Sequence, residues 1–544
     1  MRILKNILTN NFFLLFVFII FGSVECMSNQ YDMSWDFANY HYYNPFAFFN
    51  DRMNYDIVPA SVNTFFNPLP DIPLFLMIEF FNDNPQLIFA VQGIWFGLLL
   101  FVFFKLVLLF FEPNLKGWGL ALLALAIAAT GQATWFQAGS STNEIPLAFL
   151  VVCSLYVILK MLKNSDTQSG TKFFVSGLVL GMALGLKPTV IFWCVSVGLS
   201  LILCYKYWTK PIKYILLFTF AGLLGYLITN GWWMYKMWVL FDNPFFPFLN
   251  ALFKSEYFDN INYSDRRFIW SFPRSLLYPF AVGETSSEIA FGDARMGVFY
   301  FLAICIFLRT LFCPKKFVLC YRNERIWFFL MTVWGIAYVL WLQIFSIYRY
   351  AVVIEMIGAL FFVKVMFSYK TESTLKFVLY YTLLNVACFA FIANYMGNEW
   401  PNYRSPRDKY YVSMEKIKLP ENTLVKLYNF PTAALIPVLA KDNDFRALGY
   451  HHYNAIYMQG SDFVERGRFR QIRDDIEKNH NGPVVVFYRE LLFSKNADIL
   501  NEEVNKATKG MFCKDLKNNF DGWLYVCVPD NLKYDILVEG VESE

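Results

Sequence analysis

Charge is what this sequence has least of. Asp, Glu, Lys and Arg make up 17% of its residues, against roughly 25% in a soluble globular domain. With 57% hydrophobic and 20% aromatic residues, that balance argues against an ordinary soluble enzyme and points to a polytopic membrane protein. A formal net charge of +4 is too small to suggest a nucleic-acid partner. The signatures of several chemistries are missing as well. There is no CxxC, no HExxH and no Gly-rich phosphate loop, which removes the usual sequence grounds for a thiol redox enzyme, a zinc hydrolase or a P-loop enzyme. No internal repeat of the kind that marks many transporters is visible. No pair of acids stands at ligand spacing to argue for a metal, and no cofactor is expected.

Long apolar runs are what the chain does have. They fall near residues 7–25, 87–111, 119–136, 145–162, 173–187, 190–205, 214–239, 297–312, 326–345, 351–368 and 376–396, which predicts about eleven transmembrane helices. With the N-terminus in the cytoplasm, Arg2 and Lys5, then Lys160, Lys163 and Lys172, then Lys206, Lys210 and Lys213 all lie inside, as the positive-inside rule requires. Lys315, Lys316, Arg322 and Arg325 follow suit. The first outer loop, residues 27–85, holds Arg52 as its single basic residue against many acids. The first run is expected to remain as an uncleaved helix, because its apolar core exceeds a signal-peptide h-region. A second long outer loop, 241–295, carries Lys254, Arg266, Arg267, Arg274 and Arg295. They serve either to bind a phosphate or anionic acceptor or to form a solvated face.

Composition divides the chain into a transmembrane domain, 1–397, and an extracytoplasmic α/β domain, 398–544. In the latter, NTLVKLYNF, GPVVVFYRE and GWLYVCVPD read as strands and VERGRFRQIRDDIEKN as an amphipathic helix. Cys513 and Cys527 bracket a hairpin; on the oxidising side of a membrane they are expected to pair, the alternative being two buried thiols.

Polar residues at membrane depth are functional hypotheses by default. In this topology Asp36, Glu144, Lys187 and Arg349 sit on four separate outer hairpins. Two acids and two bases facing one compartment suit sugar transfer from a lipid phosphate. A carboxylate takes the acceptor's proton, and cations hold the departing phosphate. Each residue also has a plainer reading. Asp36 can cap a helix, and Glu144 can sit in a first turn where the dipole favours it. Lys187 and Arg349 can snorkel to the interface. His41, beside three tyrosines, is a secondary substrate-binding candidate or a structural residue. Asp71, in NPLPDIP, reads as ordering the loop.

Five stretches carry a family resemblance: WDFANYH after the first run, STNEIPLAF, GLVLGMALGLKPT, DNPFFPFLN and YRY. Together and in this order they resemble the GT-C superfamily of glycosyltransferases, the multipass enzymes that include protein O-mannosyltransferases and lipid A aminoarabinose transferases. The resemblance implies that Asp36 is the catalytic base and Glu144 a second catalytic acid on the loop before the fourth helix. It places Lys187 and Arg349 near a lipid phosphate. It also implies a polyprenyl-phosphate sugar as donor, a lipid, glycan or protein acceptor, and inversion at the anomeric carbon. A bacterial inner membrane facing the periplasm is the expected location. Phe37 stands where mannosyltransferases commonly have a second acid, which argues against protein mannosylation. The first loop is expected to fold as short amphipathic helices along the outer membrane surface. A transporter or flippase of a lipid-linked saccharide is the alternative; it leaves the acid-bearing loop and the α/β domain without a role.

Overall fold

The computed structural model describes residues 10–28, 34–262, 264–265, 268–280, 295–312, 324–367, 409–450, 458–459, 467–489, 497–520 and 524–533. The chain forms two compact units, neither continuous in sequence. The first comprises Met1–Ser28, Phe89–Asn230 and Phe268–Pro401, the second Asn29–Ile88, Gly231–Arg267 and Asn402–Glu544. The boundary expected at 397/398 and the run at 376–396 lie outside the described residues.

The first unit is helical. Among the described residues five helices are long and apolar enough to cross a bilayer: Asn11–Ser28, Pro85–Phe110, Glu144–Lys163, Pro211–Phe241 and Arg325–Ile344. The other described runs are helical too, but shorter. Leu115–Ala129, for example, ends at Thr130–Gly131 before a separate Gln132–Phe136 turn, so the run at 119–136 is not one span. Fifteen residues rise about 22 Å, short of a hydrocarbon core of about 30 Å. Phe12, Phe16, Ile20 and Val24 are exposed at every fourth residue, as are Ile212, Leu216 and Phe220. Such apolar stripes have no place in water and fit contact with lipid.

The stretch GLVLGMALGLKPT is a packing surface. On the Gly170–Leu186 helix, a Cβ at Gly177 would stand 2.2 Å from the Phe218 carbonyl, and one at Gly181 would stand 1.9 Å from that of Gly222. Gly185 faces Thr229 in the same way. Small residues four apart let two apolar helices close to backbone contact. The stripe ends two residues before Lys187, the residue that caps the helix.

The second unit is built on a five-stranded sheet. Its strands are β1 (Thr423–Tyr428), β2 (Phe445–Gly449), β3 (Val484–Arg489), β4 (Met511–Asp515) and β5 (Leu524–Pro529), in the order β2-β1-β3-β5-β4. β2, β1 and β3 run parallel, while β5 and β4 complete the sheet antiparallel. Cys513 and Cys527 face each other across β4 and β5 and form a disulfide. Its 14-residue separation corresponds to about 3 kcal/mol of loop-closure entropy. The Cys513→Ser, Cys527→Ser double variant is expected to lose about that much from this unit. Thermal melts with and without reductant test it: equal shifts of wild type and variant under reduction would contradict the estimate.

The first loop folds as short helices, Tyr43–Phe49, Ser61–Phe65 and Ile72–Phe81, and it packs on this sheet. Ile57 runs parallel to edge strand β2, donating to the Ala447 carbonyl at 2.9 Å and accepting from Gly449 N–H at 2.8 Å. Asp56, buried, takes two hydrogen bonds of 2.8 Å from Arg52, one of 2.9 Å from Ala447 N–H and one of 3.1 Å from Tyr43 Oη. Arg52 also donates to the Phe445 carbonyl. Ala434 N–H, just before the Leu435–Leu439 helix, donates to the Ala38 carbonyl, and the Tyr411 ring packs edge-on to Phe37. The residues flanking Asp36 are thus anchored by the C-terminal part of the chain.

Candidate functional site

In the first unit, three of the sequence candidates converge. Glu144 opens the Glu144–Lys163 helix after Asn143, whose φ is +64°. A non-glycine residue in the left-handed region stores strain, of a kind that clusters at functional turns. Lys187 leaves the Gly170–Leu186 helix extended, at φ −147°. Its Nζ donates to Glu144 Oε1 at 2.5 Å and to the Thr142 carbonyl at 2.8 Å. It also lies 5.4 Å from the Tyr350 ring centre, and the Arg349 guanidinium lies 5.3 Å from the same ring. Two cations, one aromatic ring and one carboxylate therefore share one place, with a formal charge of +1 when all are ionised.

Beside this cluster lies a small cleft of about 20 Å³. Glu144, Thr189 and Tyr350 form its polar side, and Leu147, Val151, Phe192, Trp193, Val352 and Val353 line the rest. The two cations stand next to this cleft through Glu144 and Tyr350, and such a pair of cations is suited to an anionic group.

One supporting residue escaped the sequence reading. Glu355, wholly buried on the Val352–Met366 helix, accepts from Tyr348 Oη at 2.8 Å, Thr134 Oγ1 at 3.1 Å and Ala133 N–H at 3.2 Å. It caps the Gln132–Phe136 turn and holds Tyr348, the neighbour of Arg349. Its only signal was a charge inside an apolar run. Arg295, grouped with the loop cations, is buried and donates to the Ile127 carbonyl and Thr130 Oγ1. It is a cap for the Leu115–Ala129 helix. Arg266 and Arg267 lie outside the described residues.

In the second unit, Asp36 is buried at the start of a π turn, Phe37–His41. Ser34 Oγ accepts from Phe37 N–H at 3.1 Å. His41 is buried, with Nδ1 2.7 Å from Asp71 Oδ1. Next to it Tyr42 donates to Glu79 at 3.0 Å. Burial and the nearby Glu79 charge hold the Tyr42 phenol well above its ordinary pKa, and burial with the Asp56 charge does the same for Tyr43. Both therefore remain neutral donors. Among the described residues no group of three His, Cys, Asp or Glu side chains is arranged to hold a metal ion.

No family model matches the chain, and no curated protein matches it in sequence. Among solved structures it is similar to the crystal structure of ArnT from Cupriavidus metallidurans bound to undecaprenyl phosphate, with a TM-score of 0.52 and 13% identity, over 94% of this chain and 97% of that one. The likeness is one of fold, and five of the described helices are long and apolar enough to cross a membrane.

Proposed function

We propose that the chain is a membrane glycosyltransferase that moves a sugar from a polyprenyl-phosphate donor to an extracytoplasmic hydroxyl, with inversion. Asp36 takes the acceptor's proton as its oxygen attacks the anomeric carbon. The bond from that carbon to the phosphate oxygen breaks, and the polyprenyl phosphate leaves with the electron pair. Phosphate is a good leaving group, so the second carboxylic acid that hydrolases need is not required. Glu144, bound to Lys187, is free of that duty; its role is to hold the lysine and trim the local charge. Lys187 and Arg349 take the phosphate. The observation that carries this reading is the Glu144–Lys187–Arg349 cluster beside a small cleft, in a chain with the fold of a protein crystallised with undecaprenyl phosphate. The acceptor, whether lipid, glycan or protein, lies on the periplasmic side of a bacterial inner membrane, where the C-terminal α/β unit also lies.

Removing a hydrogen-bonded charge costs about 1.5–3 kcal/mol, or about 10- to 150-fold in affinity. Arg349→Ala and Lys187→Ala are each expected to weaken undecaprenyl-phosphate binding by that range in lipid nanodiscs. Arg349→Lys should recover only part of it, because the bidentate fork is lost. Glu144→Gln should change donor binding less than either. If both alanine variants bind the lipid phosphate like wild type, these cations do not hold it.

A further inference from the structure

The proposed chemistry leaves one buried ring nitrogen in the first loop without a use. His41 is 3% exposed. Its Nδ1 meets Asp71, whereas its Nε2 is buried and has no hydrogen-bond partner among the described residues. In the neutral ring a carboxylate at 2.7 Å holds the proton on Nδ1, and Nε2 then presents a lone pair. Leaving such an acceptor unsatisfied costs about 1–3 kcal/mol, so each one calls for a donor, from a water or from a ligand. Two more acceptors in the same stretch share the condition: Asn39 Oδ1 and Asn44 Oδ1 are buried without partners, although their amide nitrogens bind the Ala60 and Asn63 carbonyls. Three unsatisfied acceptors within residues 39–44 call for hydrogen-bond donors. Hydroxyl groups are the donors a carbohydrate brings.

The turn itself places His41. A π turn closes its hydrogen bonds from residue i to i+5, so His41 lies one full turn beyond Asp36, on the same side of the turn. In an α-helix that place would fall to Tyr40. Single π turns are rare, and they are frequently found at functional sites. Asp71 keeps its carboxylate in place through the backbone, since its N–H binds the Pro68 carbonyl and its own carbonyl receives Phe75 N–H.

We propose that His41, oriented by Asp71, accepts a hydrogen bond at Nε2 from a hydroxyl of the donor sugar, and so selects the glycosylated lipid over the bare lipid phosphate. This rests on the glycosyltransferase reading, with Asp36 as base one turn away. The test uses the full chain in nanodiscs with two probes, undecaprenyl phosphate and an undecaprenyl-phosphate hexose, for wild type, His41→Gln and Asp71→Asn. Asp71→Asn keeps the shape, but its amide can donate to Nδ1 and so move the ring proton to Nε2, turning the acceptor into a donor. Both variants are expected to lose about tenfold or more in affinity for the glycosylated lipid while binding undecaprenyl phosphate like wild type. Equal losses for both probes, or no loss for either, would overturn the proposal and leave His41 a structural residue. Should His41→Gln melt at a lower temperature, Asp71→Asn carries the test by itself. If wild type binds neither lipid, the glycosyltransferase reading fails first and takes this inference with it.

Discussion

Asp36→Asn is expected to abolish sugar transfer and to leave donor binding within about twofold of wild type. A positioned base contributes typically 10²–10⁴ in rate, about 3–5 kcal/mol of transition-state stabilisation. Asn has the shape of Asp but cannot take a proton, and residue 36 is buried at the head of the π turn, where a shape-conserving change disturbs the packing least. The measurement is release of label from radiolabelled undecaprenyl-phosphate sugars in nanodiscs, beside equilibrium binding of the same donor. Transfer within tenfold of wild type would remove Asp36 from the role of base. Lost binding together with lost transfer would make it a residue that shapes the loop.

The second large effect concerns stability. Arg52 and Asp56 form a bidentate pair with the Asp56 carboxylate wholly buried, and both reach the backbone of β2. Arg52→Ala leaves that carboxylate buried without its counter-charge, which typically costs about 3–5 kcal/mol. The variant is expected to unfold well below wild type and to expose residues 34–84 to protease. Replacing both residues by apolar ones of similar volume is expected to restore most of the stability, because paired desolvation and mutual attraction nearly cancel. A loss below about 1 kcal/mol for Arg52→Ala, the ordinary value of a surface pair, would show that the node is not buried in the folded protein.

The sequence was informative where the physics is local. Apolar runs mark the helices because each must satisfy its backbone internally. The short apolar runs in NTLVKLYNF and GPVVVFYRE mark β1 and β3 because strands of the parallel part of the sheet are buried or half-buried along their whole length. Helix lengths were less legible, since the stop at Thr130–Gly131 depends on the cap that Arg295 supplies from 165 residues away. Strand β2 went unseen because DFRALGY is short and holds its place by pairing with β1 and Ile57. At the site, residue types could be named but not their partners. Glu144 and Lys187 stand 43 positions apart, at the ends of two helices that meet through Ser154 and Ser176, and no local pattern announces that contact. The π turn has no local signature at all: WDFANYH would serve an α-helix equally well, and the surrounding tertiary contacts decide between them.

The bonds from Arg52 to Phe445 and from Ala447 to Asp56 span 393 and 391 residues. At about 5–20 residues per second, the ribosome needs roughly 20–80 seconds to make the partner of a loop it has already released. During that interval residues 34–84 have no sheet to lie on, and Arg52 and Asp56 must wait hydrated. A chain interrupted between Met366 and β2 would therefore carry every described helix of the first unit and still lack the partners of the Asp36 loop. The anchoring of that loop arrives only with the last quarter of the polypeptide.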